Sequence, residues 1–202
     1  MCIRDRANTI AVVPLLLSTK GYGILWDNYS LTKFHDGADG TSFWSEVADA
    51  VDYYFIYGPE PDQVIAGYRE LTGQAPMLGK WAYGYFQSKE RYRSRDELVG
   101  AVKGYRDRRL PLDVIVQDWM YWGTHGWSAM KFDESIFPNP EEMIAELHNK
   151  YNVHLMISIW PKFWRETDIY REMESRGYLY PVTDGGGNRT YDAYSANARR
   201  IY

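Results

Sequence analysis

Cysteine is almost absent from this chain, with one, Cys2, among 202 residues. That excludes an internal disulfide framework and any cysteine-based metal site. Histidine is nearly as scarce, and His35, His125, His148 and His154 show no spacing that would gather imidazoles on one metal. Long apolar runs are also missing. Turn residues stop Leu15-Leu16-Leu17 at once, so no segment is long enough to cross a bilayer and no membrane partner is expected. The opening Met1-Cys2-Ile3-Arg4-Asp5-Arg6 lacks periodicity and the apolar stretch of a secretory leader; it reads as a non-native end. No sign of charge dominates. The formal net charge is −4 with acids and bases interspersed, which argues against nucleic acid. Arg106, Arg108 and Arg109 fall at a helix end, where they complement the dipole rather than a phosphate. Ser88, Ser158 and Ser195 lack the flanking glycines of a nucleophile elbow. Asp184-Gly185-Gly186-Gly187-Asn188 opens no strand-to-helix turn and reads as a loop, not an anion cradle. No cofactor and no metal are expected.

Aromatic residues are what the chain has in excess, at 16% with 18 Tyr and 8 Trp. Hydrophobic content of 45% suffices for a globular core. The densest aromatic segment is Asp113-Val114-Ile115-Val116-Gln117-Asp118-Trp119-Met120-Tyr121-Trp122. Its β-branched run has no polar alternation and predicts a strand buried on both faces. Such a strand delivers the residues after it to the rim of an α/β sheet or barrel. A carboxylate beside indoles suits a sugar, whose hydroxyls bond to acids and whose C–H faces lie on rings. The alternative is structural: Asp118 caps a turn and the aromatics are core.

Two rhythms divide the chain. Up to about Tyr57, short strands predicted at Val12–Leu17, Tyr22–Trp26 and Val51–Tyr57 alternate with turn clusters at Lys20-Gly21 and His35–Gly40. Three strands are too few for a sandwich, so more of that domain is expected upstream. A helix over Asp62–Leu71, with Val64, Ile65, Tyr68 and Leu71 on one face, leads to a linker at Thr72–Pro76. Beyond it strands and helices alternate. Strands are expected at Trp81–Gln87, at the run ending in Asp118, and at Val153–Trp160. Helices are expected after the capping box Ser94-Arg95-Asp96-Glu97, after the cap Asn139 with Pro140, and over Thr167–Arg176 with Gly177 closing it. The expected architecture is therefore α/β. Residues 1–6 are an end, 7–76 the last strands of a β-sandwich plus a linker helix, and 77–202 the first three units of an incomplete (β/α)8 TIM barrel. An unclosed sheet of this kind is expected to associate through its bare edge.

On a barrel, the residues that matter follow the strands. These are Gln87, Lys89, Glu90 and Tyr92, then Asp118, Trp119, Tyr121 and Trp122, then Trp160, Lys162 and Trp164. Each has a plainer alternative. Lys89 and Glu90 can be a solvated pair, Trp160 can fill the barrel mouth, and Trp164 reads better as packing or an outer rim contact.

Tyr22-Gly23-Ile24-Leu25-Trp26-Asp27-Asn28, Asp52–Gly58, Tyr68–Gly73, Gln117–Gly123 and Ile157-Ser158-Ile159-Trp160-Pro161 follow one another as in glycoside hydrolase family 31. The chain resembles that family from about Ala11 to Tyr202. The Gln-Asp-Trp and Ile-Trp-Pro forms look most like its α-xylosidase branch, which acts on xyloglucan-derived oligosaccharides. The resemblance implies a retaining α-glycosidase in which Asp118 binds hydroxyls of the terminal sugar, while Trp119 and Trp160 shape its subsite. Tyr92 and Lys162 complete the substrate-binding set, and the loop Asn28–Lys33 reaches toward the mouth. Asp192 matches an acid ahead of the family's fourth barrel strand. Both catalytic aspartates are expected beyond Tyr202, so no catalytic residue is assigned and the 202 residues alone are expected to be inactive. The expected partner is an oligosaccharide. The alternatives are an α-glucosidase of the same family, or a non-catalytic carbohydrate-binding protein on the same scaffold.

Overall fold

The computed structural model describes residues 13–183 and 185–202. The opening hexapeptide and Asp184 lie outside them. The chain divides into two compact units, one ending at Met77 and the other running from Leu78 to Tyr202.

The first unit holds an antiparallel sheet of β1 (Leu15–Ser18), β2 (Tyr22–Trp26) and a strand at Tyr53–Tyr57, with β2 in the middle. Between them, β3 (Thr32–Gly37) and β4 (Gly40–Ser45) form a hairpin around Ala38 and Asp39, and the Tyr53–Tyr57 strand is therefore β5. The sequence suggests only a turn cluster there, because most hairpin residues are polar and exposed around the cross-strand pair Phe34 and Phe43. α1 (Pro61–Thr72) packs on the sheet through Val64, which joins Leu25 and Ile56 in a small core. Gly23 makes that approach possible, since a Cβ on it would collide with the Val64 side chain. Only part of the expected apolar face of α1 is covered, and Ile65 and Leu71 stay exposed.

The second unit begins with a single 3-10 turn over Lys80–Tyr83, not the strand expected from Trp81. Trp81 instead stacks on His154, ring centroids 4.1 Å apart. Only Phe86–Gln87 pairs as β6. β6, β7 (Val114–Gln117) and β8 (His154–Ile157) make a parallel sheet in that order. The crossovers are α2 (Arg95–Asp107) and α3 (Pro140–Asn149). Ser94 caps α2 by accepting the Glu97 N–H at 3.2 Å. The other half of the box does not form: the Glu97 carboxylate takes the Arg93 N–H and the Lys89 ammonium. α3 starts on Pro140 after Asn139, which adopts a left-handed φ of 49° and makes no side-chain cap bond. Leu98 and Val102 from α2, and Met143 and Leu147 from α3, bury against Ile115 of β7. Arg106 lies at the end of α2, where its guanidinium donates to the carbonyls of Leu110, Leu112, Tyr151 and Asn152. It clamps the chain entering two strands, a structural duty that leaves no place for a phosphate.

The third expected strand pairs in parallel as β8 and the third expected helix forms at Asp168–Ser175, but an antiparallel sheet that the sequence did not suggest accompanies them. Lys162–Phe163, Leu179–Thr183 and Arg189–Tyr191, which are β9, β10 and β11, form an antiparallel sheet with β11 in the middle. α4 (Asp168–Ser175), capped by the Thr167 hydroxyl, and α5 (Ala196–Ile201) surround a separate core of Phe163, Tyr170, Met173, Leu179, Tyr191 and Ala198. The expected long strand Val153–Trp160 therefore ends at Ile157, and Pro161 stands between it and β9.

Candidate functional site

β7 sorts its side chains by alternation. Ile115 faces the helices with the buried Gln117, so Val114 and Val116 face the opposite side of the sheet, and Asp118 continues their direction. Asp118 is half-buried and makes no side-chain hydrogen bond or ion pair among the described residues. Its acceptor capacity is uncommitted.

The segment after Asp118 is fixed at several points. Trp119 N–H donates to the Glu90 carbonyl at 3.4 Å, and Gln117 Nε2 donates to the Tyr92 carbonyl at 3.1 Å. Met120 then takes a left-handed φ of 62°, which reverses the chain and sends Tyr121 and Trp122 inward. The Tyr121 hydroxyl donates to the Ser158 carbonyl at 3.1 Å, and its ring lies edge-on to Trp122. Burial pushes the Tyr121 hydroxyl up to about 12.

Asp133 pins the far end of this loop. Its carboxylate accepts the N–H and hydroxyl of Thr124 at 2.9 and 3.0 Å, and those of Ser135 at 3.0 and 2.6 Å. The Ser135 hydroxyl first, then the backbone N–H groups of Thr124 and Ser135, hold the carboxyl well below its ordinary range. Gly123 makes room for it: its φ is +45°, and a Cβ there would overlap the Asp133 carboxylate.

The loop so held frames a cleft of about 490 Å³ lined by Trp119, Met120, Trp122, Trp127, Trp164 and Asn188. This is the size and apolar character of a small-ligand site. Trp119 is 42% exposed and Trp164 44%, so two large apolar rings keep open faces among otherwise ordered neighbours. The lining contains no carboxylate, so what it offers a ligand is ring surface and an amide.

The structure gathers some of the sequence-derived residues and separates others. Trp119 is in the cleft wall. Trp160 and Lys162 do not line the cleft but meet Trp127, with the Trp160 ring 5.4 Å from that of Trp127 and Lys162 Nζ 5.5 Å from the same indole. Asp118 is adjacent in chain to the wall without lining it. Tyr92 does not join them: at 3% exposed it packs with Leu98, Leu112 and Tyr121 in the helix-side core, and burial raises its hydroxyl pKa. Lys89 pairs with Glu97 and Glu90 with Arg91, so the alternative of a Lys89–Glu90 pair is not what forms. Asp192 caps a turn, accepting the Tyr194 N–H at 2.9 Å and the Tyr180 hydroxyl at 3.1 Å. Trp164, expected as packing or a rim contact, lines the cleft. Trp127 was missed; it lies in the long connection between β7 and α3, where no periodicity marks it.

Comparison with known proteins bears on this geometry. Residues 75–202 match the family described as Glycosyl hydrolases family 31 TIM-barrel domain. The α-xylosidase of Saccharolobus solfataricus is 55% identical over 175 residues, which is 87% of this chain and 24% of that protein. α-Xylosidase A of Aspergillus niger is 28% identical over 96% of the chain and 28% of its own length. Among solved structures, a GH31 α-xylosidase from a soil metagenome, complexed with xylose, superposes with a TM-score of 0.84 at 35% identity. It covers 96% of this chain and 29% of its own. The chain thus spans less than a third of the length of these proteins.

Proposed function

The chain belongs to glycosyl hydrolase family 31, and on that premise we propose that it is part of a retaining α-glycosidase releasing terminal α-linked xylose from xyloglucan-type oligosaccharides. The observation that carries this is the indole-lined cleft immediately after Asp118. Pyranose rings present C–H faces to indoles, and their hydroxyls need acceptors; Trp119 and Asp118 supply one of each. Asp118 takes the role of hydroxyl acceptor, Trp119 that of the wall, and Trp160 with Lys162 that of supports acting through Trp127. Tyr92 serves the same site indirectly, through the bond from Gln117 to its carbonyl. The barrel is incomplete in this reading, with the β6–β8 sheet as its first strands, and the antiparallel strands before Met77 belong to a β-sandwich.

Retaining hydrolysis needs two carboxyl groups about 5–5.5 Å apart, one attacking the anomeric carbon and one protonating the leaving oxygen. The cleft lining holds no acid, so the residues described here bind and orient the sugar. The hydroxymethyl group separates glucose from xylose, and bulky Trp119 and Trp160 are the residues taken to crowd it when the terminal sugar is bound. Calorimetric or fluorescence titration of the chain with xylose and glucose tests this. Tighter binding of xylose, weakened but still measurable in Trp119→Ala, is expected. Equal affinity for both sugars would favour an α-glucosidase, and absence of binding to either would remove the sugar site.

A further inference from the structure

Trp119 has two neighbourhoods. Its indole lines the aromatic cleft, and Arg91 Cζ lies 5.5 Å from the centroid of the same ring. Arg91 belongs to the connection between β6 and α2 and borders a second, charged cavity of about 450 Å³ with Lys89, Glu90, Arg93 and Glu97. The guanidinium is itself oriented by the Glu90 carboxylate at 3.5 Å. This contact is one of three ties between the same two segments. Trp119 N–H donates to the Glu90 carbonyl, and Gln117 Nε2 donates to the Tyr92 carbonyl. Residues 90–92 are thus bound to residues 117–119 through backbone, amide and ring.

We propose that Arg91 is a positioning residue that fixes the plane of the Trp119 indole and thereby sets the width of the sugar cleft. One ring face takes the guanidinium, and the other is left for the ligand. Without the cation, the indole of a side chain exposed to this degree has rotamer freedom that a sugar must remove on binding. Lysine can keep part of the attraction, as an ammonium also lies over an indole face, but it lacks the planar stacking of the guanidinium. The inference rests on the sugar-binding role proposed above, and its test separates the two.

In the full chain, the Trp119 indole N–H signal, identified by its loss in Trp119→Phe, is expected to shift and broaden in Arg91→Ala without any ligand. It should return most of the way in Arg91→Lys. Xylose affinity is expected to fall about five- to ten-fold in Arg91→Ala, and by nothing further when Arg91→Ala is added to Trp119→Ala. A thermal melt confirms folding of each variant. An unmoved Trp119 signal in Arg91→Ala overturns the proposal whether or not xylose binds. So does an affinity loss of equal size in the presence and absence of the indole. If wild-type chain binds no xylose while the Trp119 signal does respond to Arg91, the positioning contact stands and the sugar role fails.

Discussion

The two sides of β7 are built by different rules. Toward the helices, Ile115 meets Leu98, Val102, Met143 and Leu147, and all are fully buried. Past the strand end, Trp119 and Trp164 keep large faces open, although the loop carrying Trp119 is held by the Asp133 carboxylate and by the Glu90 carbonyl. The difference teaches that exposure beyond the strand end is not loose packing. Four hydrogen bonds to the Asp133 carboxylate and a left-handed Met120, the latter a costly backbone state, fix the loop on which Trp119 stays exposed. The helix side carries one debt of its own, since Gln117 Oε1 is buried without a partner among the described residues.

Substitutions sharpen this contrast by separating stability from binding. The largest loss is expected for Leu147→Ala, fully buried between α3 and the sheet, at about 3 kcal/mol. Urea unfolding should register that loss, while xylose affinity of the folded fraction stays unchanged. If affinity falls with stability, the two sides are not separable.

Asp133→Ala should cost less than Leu147→Ala, because it strands donors of Thr124 and Ser135. Here affinity should fall as well, since the loop carrying Trp122 and Trp127 loses its anchor. The effect depends on pH with a definite sign. The folded carboxyl lies below its ordinary value of 3.8, so the unfolded chain binds more protons in acid. The Asp133 contribution is therefore fully present above about pH 4 and fades as pH falls through the folded value. Wild-type and Asp133→Asn stabilities should converge in strong acid; a constant gap across that range would exclude this role for the carboxylate.

How much of this was legible beforehand varies by residue, for physical reasons. The strand at Val114–Gln117 and the Ser94 cap are local signals, written in β-branching and in one hydroxyl, and both formed. Asn139 carries the same kind of signal, yet its backbone entered the left-handed region and left its side chain out of the cap. The β3–β4 hairpin was hidden because most of its residues are polar and exposed, with Phe34 and Phe43 paired across it as the exception. Family-31 motifs located Asp118 and Trp119 at the strand end. They could not reveal that Tyr92 turns into the core, because its direction is set by packing against Leu98 and Leu112. Trp127 had no signal at all, as a residue in an aperiodic connection gains its meaning from what folds around it.

The most direct measurement is the response of individual indole N–H signals to xylose, read by NMR on the full chain. Signals of Trp119, Trp127 and Trp164 should move together as the sugar is added. That of Trp81, stacked on His154 away from the cleft lining, should stay where it is. Movement confined to Trp81 or to the indoles of the first unit, Trp26 and Trp44, would contradict a sugar held at the end of β7.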